Sequence, residues 1–423
     1  MKKINISIIG LGYVGLPLAL EFGKKYNVVG YDLNKERIKQ LKNNIDINND
    51  ISCNEIRSSN KILFSNNEIN ISNSNYYIIT VPTPIKKNKQ PDKSKIFNAC
   101  KLVGKFLKKN DIVIFESTVY PGLTEEECAP ILENISKLKY NKEFFCGYSP
   151  ERINPGDKIK KLKNIIKITS GSNFQTLNKV DNLYKTIINA GTHKVKSIKI
   201  AEAAKVIENA QRDLNIGFVN ELSLIFDKME LDTNEILKAA NTKWNFLNFK
   251  PGLVGGHCIG VDPYYLTYKS QKIGLNPKLI LSARSVNDNM PKYIIAKLIK
   301  NLKKKRININ GSKILILGLT FKENCSDIRN SKVFDIIDIA VKKNAKIDVY
   351  DPYVNIESLN LKRKFNFISK PKKNFYDCVL ILVGHEYFIK SLGSKKIINY
   401  GKKNNVIFDI KNIFPHKNEF IKL

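Results

Sequence analysis

The sequence lacks the features that mark membrane proteins and cysteine-based zinc or redox proteins. No run of apolar residues approaches the ~18 that a membrane span requires, and no Cys-x-x-Cys pair occurs among the seven cysteines. The first residues pass directly into a strand pattern rather than a targeting segment. We therefore expect a folded cytoplasmic protein with mostly buried thiols, no metal site and no membrane partner.

Acidic residues are scarce: the chain has 39 Asp and Glu residues but 71 Lys and Arg residues, which gives a formal net charge of +32. Such a charge favours polyanions, and nucleic acid is the obvious candidate partner. The lysines are dispersed, however, and a nucleic-acid site needs clustered cations. A solvated lysine-rich surface without a nucleic-acid partner is the favoured interpretation, and it stays compatible with small anionic substrates.

The length of 423 residues, with 43% apolar content, predicts two or three domains. Short apolar runs alternate with helical patterns up to about residue 195, which predicts a doubly wound sheet. Its buried parallel strands are expected at residues 4–9, 28–31, 76–81, 112–115 and 144–147. Apolar residues then recur at helical spacing from 198 to 231, interrupted only by Gly217, which predicts one long helix.

A second nucleotide-binding half starts after residue 306, because 312–319 echoes 5–11 and 348–351 echoes 29–32. This copy lacks counterparts of the second and third glycines of the first turn, so its ligand is expected to differ. Further strands are predicted at 378–383 and 406–410.

The predicted fold is therefore α/β, with two Rossmann-like doubly wound domains joined by a central helical domain that contains the long helix. The expected boundaries are 1–197 for the cofactor domain, 198–306 for the central domain and 307–423 for the second nucleotide domain.

The glycine-rich turn at residues 10–15 directly follows the first predicted strand. Gly10 permits the tight turn, Gly12 lets the backbone approach a pyrophosphate, and Gly15 allows close packing of the next helix. Asp32 ends the next strand, where a carboxylate binds the ribose hydroxyls and repels an extra phosphate, so NAD is favoured over NADP. A glycine-rich turn without a ligand is the alternative.

Other residues of the predicted cofactor site carry weaker signals. Arg37 covers the adenine or softens the exclusion of NADP, and an exposed helix arginine is the alternative. Two turns that follow later strands lie at the carboxyl edge, where open α/β sheets bind ligands. The remaining candidates in these turns are Tyr13, Val14, Thr83 and Thr118.

Cys258 lies in the glycine-rich segment 252–263, where no bulky side chain blocks a ligand, and this is how a thiol nucleophile is presented. A buried structural thiol is the alternative, but flanking glycines fill a core poorly. A thiol together with a nicotinamide cofactor indicates oxidation beyond the aldehyde.

Lys205 and Asn209 are four residues apart in the predicted long helix, which puts them on one face about 6 Å from each other. Both can donate to one oxyanion, and the small residues around Lys205 favour close packing and desolvation of its ammonium group. An exposed helix lysine is the alternative, and only the combination with Cys258 favours a function.

Several specific motifs in the same order show that the chain resembles the UDP-glucose/UDP-N-acetylmannosamine (nucleotide-sugar) 6-dehydrogenase family over essentially its full length. The matching segments are 10–19, 81–84, 116–122, 149–155, 201–221, 249–263 and 317–331. The segment 148–156 is most similar to the members that act on UDP-N-acetylhexosamines, notably the UDP-N-acetylglucosamine 6-dehydrogenases of capsule and O-antigen pathways.

The UDP-glucose members remain the nearest alternative. They carry an acidic residue where this chain has Pro155, and often a serine where it has His257, to which we assign no catalytic role. The gluco or galacto configuration of the substrate stays open, and a non-catalytic nucleotide- or nucleic-acid-binding protein is a remote alternative.

The resemblance implies a four-electron oxidation of carbon six to a carboxylate with NAD as cofactor. Lys205 and Asn209 stabilise the alkoxide, and a water near Thr118 accepts the proton. Cys258 adds to the aldehyde and passes through a thiohemiacetal to a thioester. Glu151 is the implied base for hydrolysis of the thioester, and Asp262 helps arrange the water or the lysine.

The resemblance also implies binding residues. Arg329 approaches the cofactor, whereas Lys322 contacts the UDP-sugar; for both, a solvated surface cation is the alternative. The other implied substrate contacts are Glu151, Arg152, Lys205, Asn209, Lys250, Pro251, Gly252, Gly255 and Lys411.

Assembly is the last implication of the resemblance. The long helix provides a dimer interface, so a homodimer is the minimum expectation. Trp244 either reaches the neighbouring subunit's site or belongs to an aromatic core cluster.

Overall fold

The computed structural model describes residues 3–47, 51–152, 162–256, 258–355, 365–417 and 419–423. The chain forms two compact units. The first comprises Met1–Glu208 and Asp262–Asn276, and the second comprises Asn209–Val261 and Pro277–Leu423.

The first unit is built on an eight-stranded sheet of order β3-β2-β1-β4-β5-β6-β7-β8. Its strands are β1 Asn5–Ile9, β2 Asn27–Tyr31, β3 Ile62–Ser65, β4 Tyr76–Ile79, β5 Ile112–Phe115, β6 Phe145–Tyr148, β7 Lys167–Gly171 and β8 Thr192–Lys194. All neighbours are parallel except β6 and β7. The order of the first six strands is the doubly wound order of dinucleotide-binding domains. The five predicted strands are confirmed.

Twelve α-helices are assigned within the described residues. They are α1 Gly15–Gly23, α2 Lys35–Lys42, α3 Cys53–Arg57, α4 Ser94–Gly104, α5 Ala129–Ser136, α6 Phe174–Lys185, α7 Ile198–Lys228, α8 Thr233–Ala240, α9 Asp262–Lys272, α10 Lys278–Lys304, α11 Val333–Val341 and α12 Gly393–Ile398. Short 3-10 turns occupy Glu68–Asn73 and Leu162–Asn164, and π-helical turns occupy Thr124–Cys128 and Phe388–Leu392.

The long helix α7 has 31 residues and confirms the predicted element, but it ends three residues earlier than the apolar pattern indicated. Glu230 follows its end with φ 59°, a left-handed conformation that stops a helix. Beyond the end of the helix, the Leu231 amide still bonds back to the Phe226 carbonyl at 2.9 Å. The division between the two units falls inside α7, after Glu208.

The second unit contains a five-stranded parallel sheet of order β11-β10-β9-β12-β13. Its strands are β9 Lys313–Leu317, β10 Lys346–Tyr350, β11 Asn366–Phe367, β12 Tyr376–Ile381 and β13 Gly401–Asp409. Alternate β9 residues enter different apolar clusters: Ile314 and Ile316 belong to one, and Leu315 and Leu317 to the other. The sheet is therefore buried on both faces, as a doubly wound sheet requires.

The two sheets share a hydrogen-bonding pattern where their first strands end. Leu11 N donates to Asp32 Oδ2 at 2.8 Å in the first unit, and Leu319 N donates to Asp351 Oδ2 at 2.7 Å in the second. The predicted internal repeat is thus present in the backbone as well as in the sequence. None of the helices in the described ranges has the length and hydropathy that a bilayer span demands.

Candidate active site

The turn between β1 and α1 has the geometry expected of a dinucleotide site. Gly10 adopts φ 100°, which only glycine accepts readily. A Cβ built on Gly15 would lie 1.8 Å from the Gly10 carbonyl oxygen, so the helix start packs directly on the turn. A Cβ on Gly12 would meet nothing within 4 Å, which leaves open space beside the backbone. Half-buried Tyr13 and Val14 complete the turn.

The Asp32 carboxylate holds this turn in place. Its Oδ2 accepts from Leu11 N at 2.8 Å and its Oδ1 accepts from Asn34 N at 2.9 Å. The side chain is only half-buried, and each oxygen keeps a second lone pair for a ligand hydroxyl. The open face at Gly12, the amides that begin α1 and this carboxylate together fit a dinucleotide.

Arg37 is not an exposed helix arginine, and that alternative is wrong. The residue is 7% exposed, its Nε donates to the Leu11 carbonyl at 3.1 Å, and its Nη1 lies 2.7 Å from Asp46 Oδ1. The guanidinium group therefore supports the glycine-rich turn from within the protein. A direct contact with the cofactor stays a prediction.

Thr83 and Thr118, predicted from separate turns, lie next to each other. Thr83 Oγ1 donates to the Thr118 carbonyl at 2.7 Å, and Tyr265 Oη donates to the Thr83 carbonyl at 2.6 Å. Both threonines are half-buried at the carboxyl ends of β4 and β5. The two turns, 35 residues apart in sequence, therefore lie together at the edge of the sheet, as predicted.

Glu151 is a buried carboxyl group in an unusual environment. It is 4% exposed, and its Oε1 accepts no hydrogen bond from any described residue. Burial raises the pKa of Glu151 to about 7, while the nearby Lys205 and Lys167 ammonium groups oppose that rise and the Glu116 and Asp262 carboxylates add to it. A carboxyl group with this pKa is part-ionised at neutral pH and suits proton transfer.

The segment that carries Glu151 is fixed by residues that the sequence did not reveal. Lys167 Nζ lies 2.6 Å from Glu116 Oε2 and donates to the Pro150 carbonyl at 3.1 Å. Tyr184 Oη also donates to Glu116. Lys167 opens β7, a strand whose first residue is charged, so hydrophobic patterning gave no signal for it.

Lys205 and Asn209 are 4% and 6% exposed in the uninterrupted helix α7, so the exposed-lysine alternative is wrong. Glu208, one position before Asn209, forms an ion pair with Arg152. The Arg152 Nη1 and the Glu208 Oε2 are 2.6 Å apart. Arg152 therefore ties the Glu151 segment to α7. The remainder of the motif, at 153–156, lies outside the described residues, as does His257.

Cys258 is half-buried, whereas Cys100, Cys128, Cys146, Cys325 and Cys378 are buried. The buried-thiol alternative is therefore wrong for Cys258 and right for most of the other cysteines. Burial raises the pKa of the Cys100 and Cys146 thiols well above the usual value, which makes them poor nucleophiles. Cys258 begins a turn that its carbonyl closes by accepting from Val261 N at 3.0 Å.

The Cys258 segment packs on the loop after β9 within the second unit. Gly256 N donates to the Asn330 carbonyl at 3.2 Å, and a Cβ on Gly255 would lie 2.8 Å from that oxygen. A Cβ on Gly252 would lie 3.9 Å from Lys411 Nζ. The structure thus gathers the predicted substrate segments around Gly252, Gly255 and Lys411, where Lys250 is exposed and Pro251 is buried.

The cations of the loop after β9 differ in exposure. Lys322 is half-buried, with its ammonium group 6.0 Å from the Phe321 ring centroid. The Arg329 side chain is 60% exposed and forks onto Asp327, with Nη2 and Oδ2 2.7 Å apart. Lys411 pairs with Glu323 at 2.7 Å. Contacts of these cations with a nucleotide stay predictions.

The second half has a different aspartate environment from the first. Asp351 is 2% exposed, and its Oδ2 lies 3.0 Å from His385 Nε2. His385 Nδ1 accepts from Asn324 N at 2.9 Å, so the ring proton lies on Nε2 and is directed at Asp351. Asp351 is the counterpart of Asp32, but its carboxylate is buried and hydrogen-bonded to His385 instead of being open to a ribose. This agrees with the expectation that the second half binds a different ligand.

Trp244 is 89% exposed in the chain, so the aromatic-core alternative is wrong. No group of His, Cys, Asp and Glu side chains within the described ranges has the arrangement of a metal site.

Two Rossmann-like sheets, a dinucleotide turn with an acidic strand end and a half-buried thiol define a nucleotide-dependent dehydrogenase. Comparison with known proteins gives the family. Models of the UDP-glucose/GDP-mannose dehydrogenase family match as its NAD binding domain at 4–188, its central domain at 199–289 and its UDP binding domain at 315–416. The chain belongs to this family, and the predicted family, fold class and NAD cofactor are confirmed.

Similar proteins cover the chain end to end. UDP-N-acetyl-D-glucosamine 6-dehydrogenase of Salmonella typhi is 52% identical, covering 100% of this chain and 99% of that protein. The enzyme of the same name from Pseudomonas aeruginosa is 49% identical, with 100% of both covered. The solved UDP-D-ManNAc dehydrogenase of Pyrococcus horikoshii is 30% identical with a TM-score of 0.88, covering 99% of this chain and 98% of that one.

Proposed function

We propose that this NAD-dependent dehydrogenase oxidises carbon six of a UDP-N-acetylhexosamine, with UDP-N-acetylglucosamine as the first choice, to the uronate. The observation that carries the proposal is full-length similarity, at 52% and 49% identity, to two UDP-N-acetyl-D-glucosamine 6-dehydrogenases. The positive net charge of the chain is compatible with an anionic nucleotide sugar.

In the first oxidation, Lys205 and Asn209 donate hydrogen bonds to the oxygen of carbon six and stabilise it as an alkoxide. A water near Thr118 takes the proton. NAD supplies the hydride acceptor for this oxidation and for the next one. Burial of Lys205 supports its role, because a charge in a low-dielectric site acts more strongly on a developing anion.

The second oxidation requires a tetrahedral carbon, which an aldehyde lacks. The Cys258 thiolate adds to the aldehyde carbon, a C–S bond forms, and the oxygen is again an alkoxide that Lys205 and Asn209 stabilise. Loss of the second hydride gives a thioester, and four electrons have then reduced two NAD. Glu151 takes a proton from water as the water adds to the thioester, and the C–S bond breaks to release the acid and the thiol.

The remaining site residues are proposed to hold the reactants. NAD is contacted by the glycine turn and by Tyr13, Val14, Asp32, Arg37, Thr83 and Arg329. Asp262 arranges the water or Lys205. On the substrate side the proposed contacts are Arg152, Lys250, Pro251, Gly252, Gly255, Lys322 and Lys411. The half-buried Lys411 beside Gly252 supports a diphosphate contact, because a partly desolvated ammonium group binds anions well.

The setting of the reaction also belongs to the proposal. We place the protein in the cytoplasm as a homodimer or higher homo-oligomer that supplies uronates for capsule or O-antigen polysaccharide. The division into domains 1–197, 198–306 and 307–423 is proposed as well, and the three matched family segments support it.

The test is to incubate the purified protein with NAD and, separately, with UDP-N-acetylglucosamine, UDP-N-acetylgalactosamine, UDP-N-acetylmannosamine and UDP-glucose. NADH is counted per sugar consumed, and two NADH are expected with an N-acetylhexosamine substrate. Turnover of UDP-glucose alone would replace the proposed substrate, and one NADH per sugar would contradict the thioester route. A salt-dependent DNA shift without NAD reduction would point to the non-catalytic alternative.

A further inference from the structure

Four buried polar side chains form a continuous hydrogen-bonded network between helices α7 and α10 in the second unit. Asp213 and Asn220 come from α7, and Arg284 and Asn287 come from α10. Each is between 0% and 2% exposed. Burial of polar groups costs free energy, and the Asp213 Oδ2 accepts no hydrogen bond from the described residues, so the position of this network in the fold calls for a reason.

The hydrogen bonds lead from Asp213 through Asn287 to Asn220. Arg284 Nη1 lies 2.6 Å from Asp213 Oδ1, and Asn287 Nδ2 donates to the same oxygen at 2.8 Å and to the Asp213 carbonyl at 2.9 Å. Asn220 Nδ2 donates to Asn287 Oδ1 at 2.8 Å. A carboxylate only accepts, so Asp213 orients the Asn287 amide, which in turn orients the Asn220 amide.

The oriented Asn220 amide ends on the segment that carries Cys258. Its Oδ1 accepts from Gly252 N at 2.7 Å, and its Nδ2 donates to the Gly252 carbonyl at 3.0 Å. Both backbone groups of one buried residue are therefore held by one side chain. If the Asn220 amide were rotated by half a turn, its NH2 group would face the Gly252 N–H and its oxygen would face the Gly252 carbonyl, so both hydrogen bonds would be lost.

The opposite end of the network reaches the other side of Cys258. A Cβ built on Gly260 would lie 3.8 Å from Arg284 Nη1 and 3.9 Å from its Nη2. The guanidinium group therefore lies beside the backbone two residues after the cysteine. Gly252 and Gly260 bracket the Cys258 segment, and one polar network hydrogen-bonds to the first and lies beside the second.

We propose that Asn220, Asn287, Asp213 and Arg284 are positioning residues that set the Cys258 thiol for addition to the aldehyde. The inference rests on the proposed function, in which Cys258 forms the covalent intermediate. A misplacement of about 1 Å in a reacting group can cost about a hundredfold in rate. The thiol takes no part in the first oxidation, so loss of positioning slows chiefly the steps after the aldehyde.

The experiment compares Asn220→Ser with the parent protein by following the two phases of NADH formation in a single turnover with UDP-N-acetylglucosamine. The shorter hydroxyl cannot hold both backbone groups of Gly252. At saturating UDP-N-acetylglucosamine the second phase is expected to slow about a hundredfold, far more than the first phase, and aldehyde is released into a hydroxylamine trap. Arg284→Lys keeps the positive charge but loses the planar guanidinium group that bonds to two carboxylates at once, and it tests the Gly260 end of the network in the same way.

Ser223→Ala is the matched control. Ser223 is 0% exposed on the same helix, its Oγ donates to the Asn220 carbonyl at 2.7 Å, and no hydrogen bond joins it to the described residues of the Cys258 segment. This variant removes a buried hydrogen bond from α7 and is expected to keep both phases. Equal slowing of both phases in Asn220→Ser and Arg284→Lys, or the same uneven slowing in Ser223→Ala, would overturn the proposal.

A second readout separates this inference from the proposed function. The rate of Cys258 alkylation by iodoacetamide, followed by peptide mass, needs no substrate. Release of the segment is expected to raise that rate in Asn220→Ser and Arg284→Lys and to leave it unchanged in Ser223→Ala. If the parent makes one NADH per sugar, the proposed function fails, and alkylation rates that match the parent in both variants would then reject positioning as well.

Discussion

Lys167 and Glu116 form a buried ion pair, with Nζ and Oε2 2.6 Å apart and side-chain exposures of 3% and 1%. Lys167 also donates to the carbonyl of Pro150, the residue before Glu151, at 3.1 Å. Lys167 lowers the pKa of Glu151 and Glu116 raises it. The pair thus supports the Glu151 segment while its two charges act on the carboxyl group in opposite directions.

Lys167→Met should therefore move the pH midpoint of thioester hydrolysis upward from about 7, because the variant loses a cation that favours the ionised carboxylate. Uronate release in a single turnover, measured across pH, gives the midpoint. Leaving Glu116 buried and unpaired costs about 3–5 kcal/mol, so thermal unfolding is measured alongside.

The double variant Lys167→Met/Glu116→Gln is the control for that experiment. It removes both charges, so the opposing effects on Glu151 largely cancel and the midpoint returns towards the parent value. Lys167→Arg keeps the cation and should keep the midpoint. An unchanged midpoint in Lys167→Met would show that the ion pair has no influence on hydrolysis.

Glu151→Gln should raise stability in alkaline solution. Burial raises the pKa of Glu151 to about 7, so the folded state holds a proton that the unfolded state has already released above the usual carboxyl pKa. The stability contributed by this proton is complete below that usual pKa and is lost as pH rises through about 7. Removing the ionisable group should therefore stabilise the fold above neutrality by up to about 3 kcal/mol and have little effect in acid.

Urea unfolding at both pH extremes measures the difference, and Glu202→Gln provides the contrast. Burial also raises the pKa of Glu202 to about 7, but its carboxylate accepts from Gly122 N at 2.5 Å and from Thr124 N at 3.0 Å. An amide would set its NH2 group against one of these donors, so Glu202→Gln should lose stability. Equal changes in stability of the two variants would refute the interpretation that burial without hydrogen bonds destabilises the ionised Glu151 carboxylate.

The sequence predicted the strands that contain a run of buried apolar residues. The predicted runs overlap β1, β2, β4, β5 and β6 of the first sheet and β9, β10, β12 and β13 of the second, because the residues of these runs are buried on both faces of the sheets. The edge strand β3 was missed because its apolar run is only three residues long, at 62–64, and β7 was missed because it opens with Lys167 and continues with polar residues. A buried charge interrupts the hydrophobic pattern although it lies in the core.

The candidate site was predictable where a motif has a local cause. The glycines of the first turn and the helical spacing of Lys205 and Asn209 depend on neighbours in sequence. The partners of Arg37 and Asn220 do not: Leu11 is 26 positions from Arg37, and Gly252 is 32 positions from Asn220. Contacts at such separations arise from tertiary packing, which one sequence without comparison leaves undetermined.

Gly12→Ala and Gly15→Ala should separate cofactor binding from folding. The Gly12 position has open space for a methyl group, so its variant should keep the parent melting temperature and raise KM for NAD by about tenfold or more, as expected where a side chain obstructs the pyrophosphate. The Gly15 position places the methyl 1.8 Å from the Gly10 carbonyl oxygen, so its variant should lose stability and NAD binding together. Differential scanning fluorimetry with and without NAD measures both, and a Gly12→Ala protein with unchanged KM would place the pyrophosphate elsewhere.

Cys258→Ala should abolish uronate formation, lowering its rate by about 10³-fold or more, while UDP-sugar binding persists. The half-buried thiol makes no large contribution to the core, so the melting temperature should change little. Calorimetric titration gives the UDP-sugar affinity, and chromatography of the products separates aldehyde from acid. Cys53→Ala is the matched control, because Cys53 is exposed at the start of α3 and should be replaceable without effect on either product. Uronate formation by Cys258→Ala at the parent rate would remove the covalent step, since no other half-buried thiol is present in the described part of the chain.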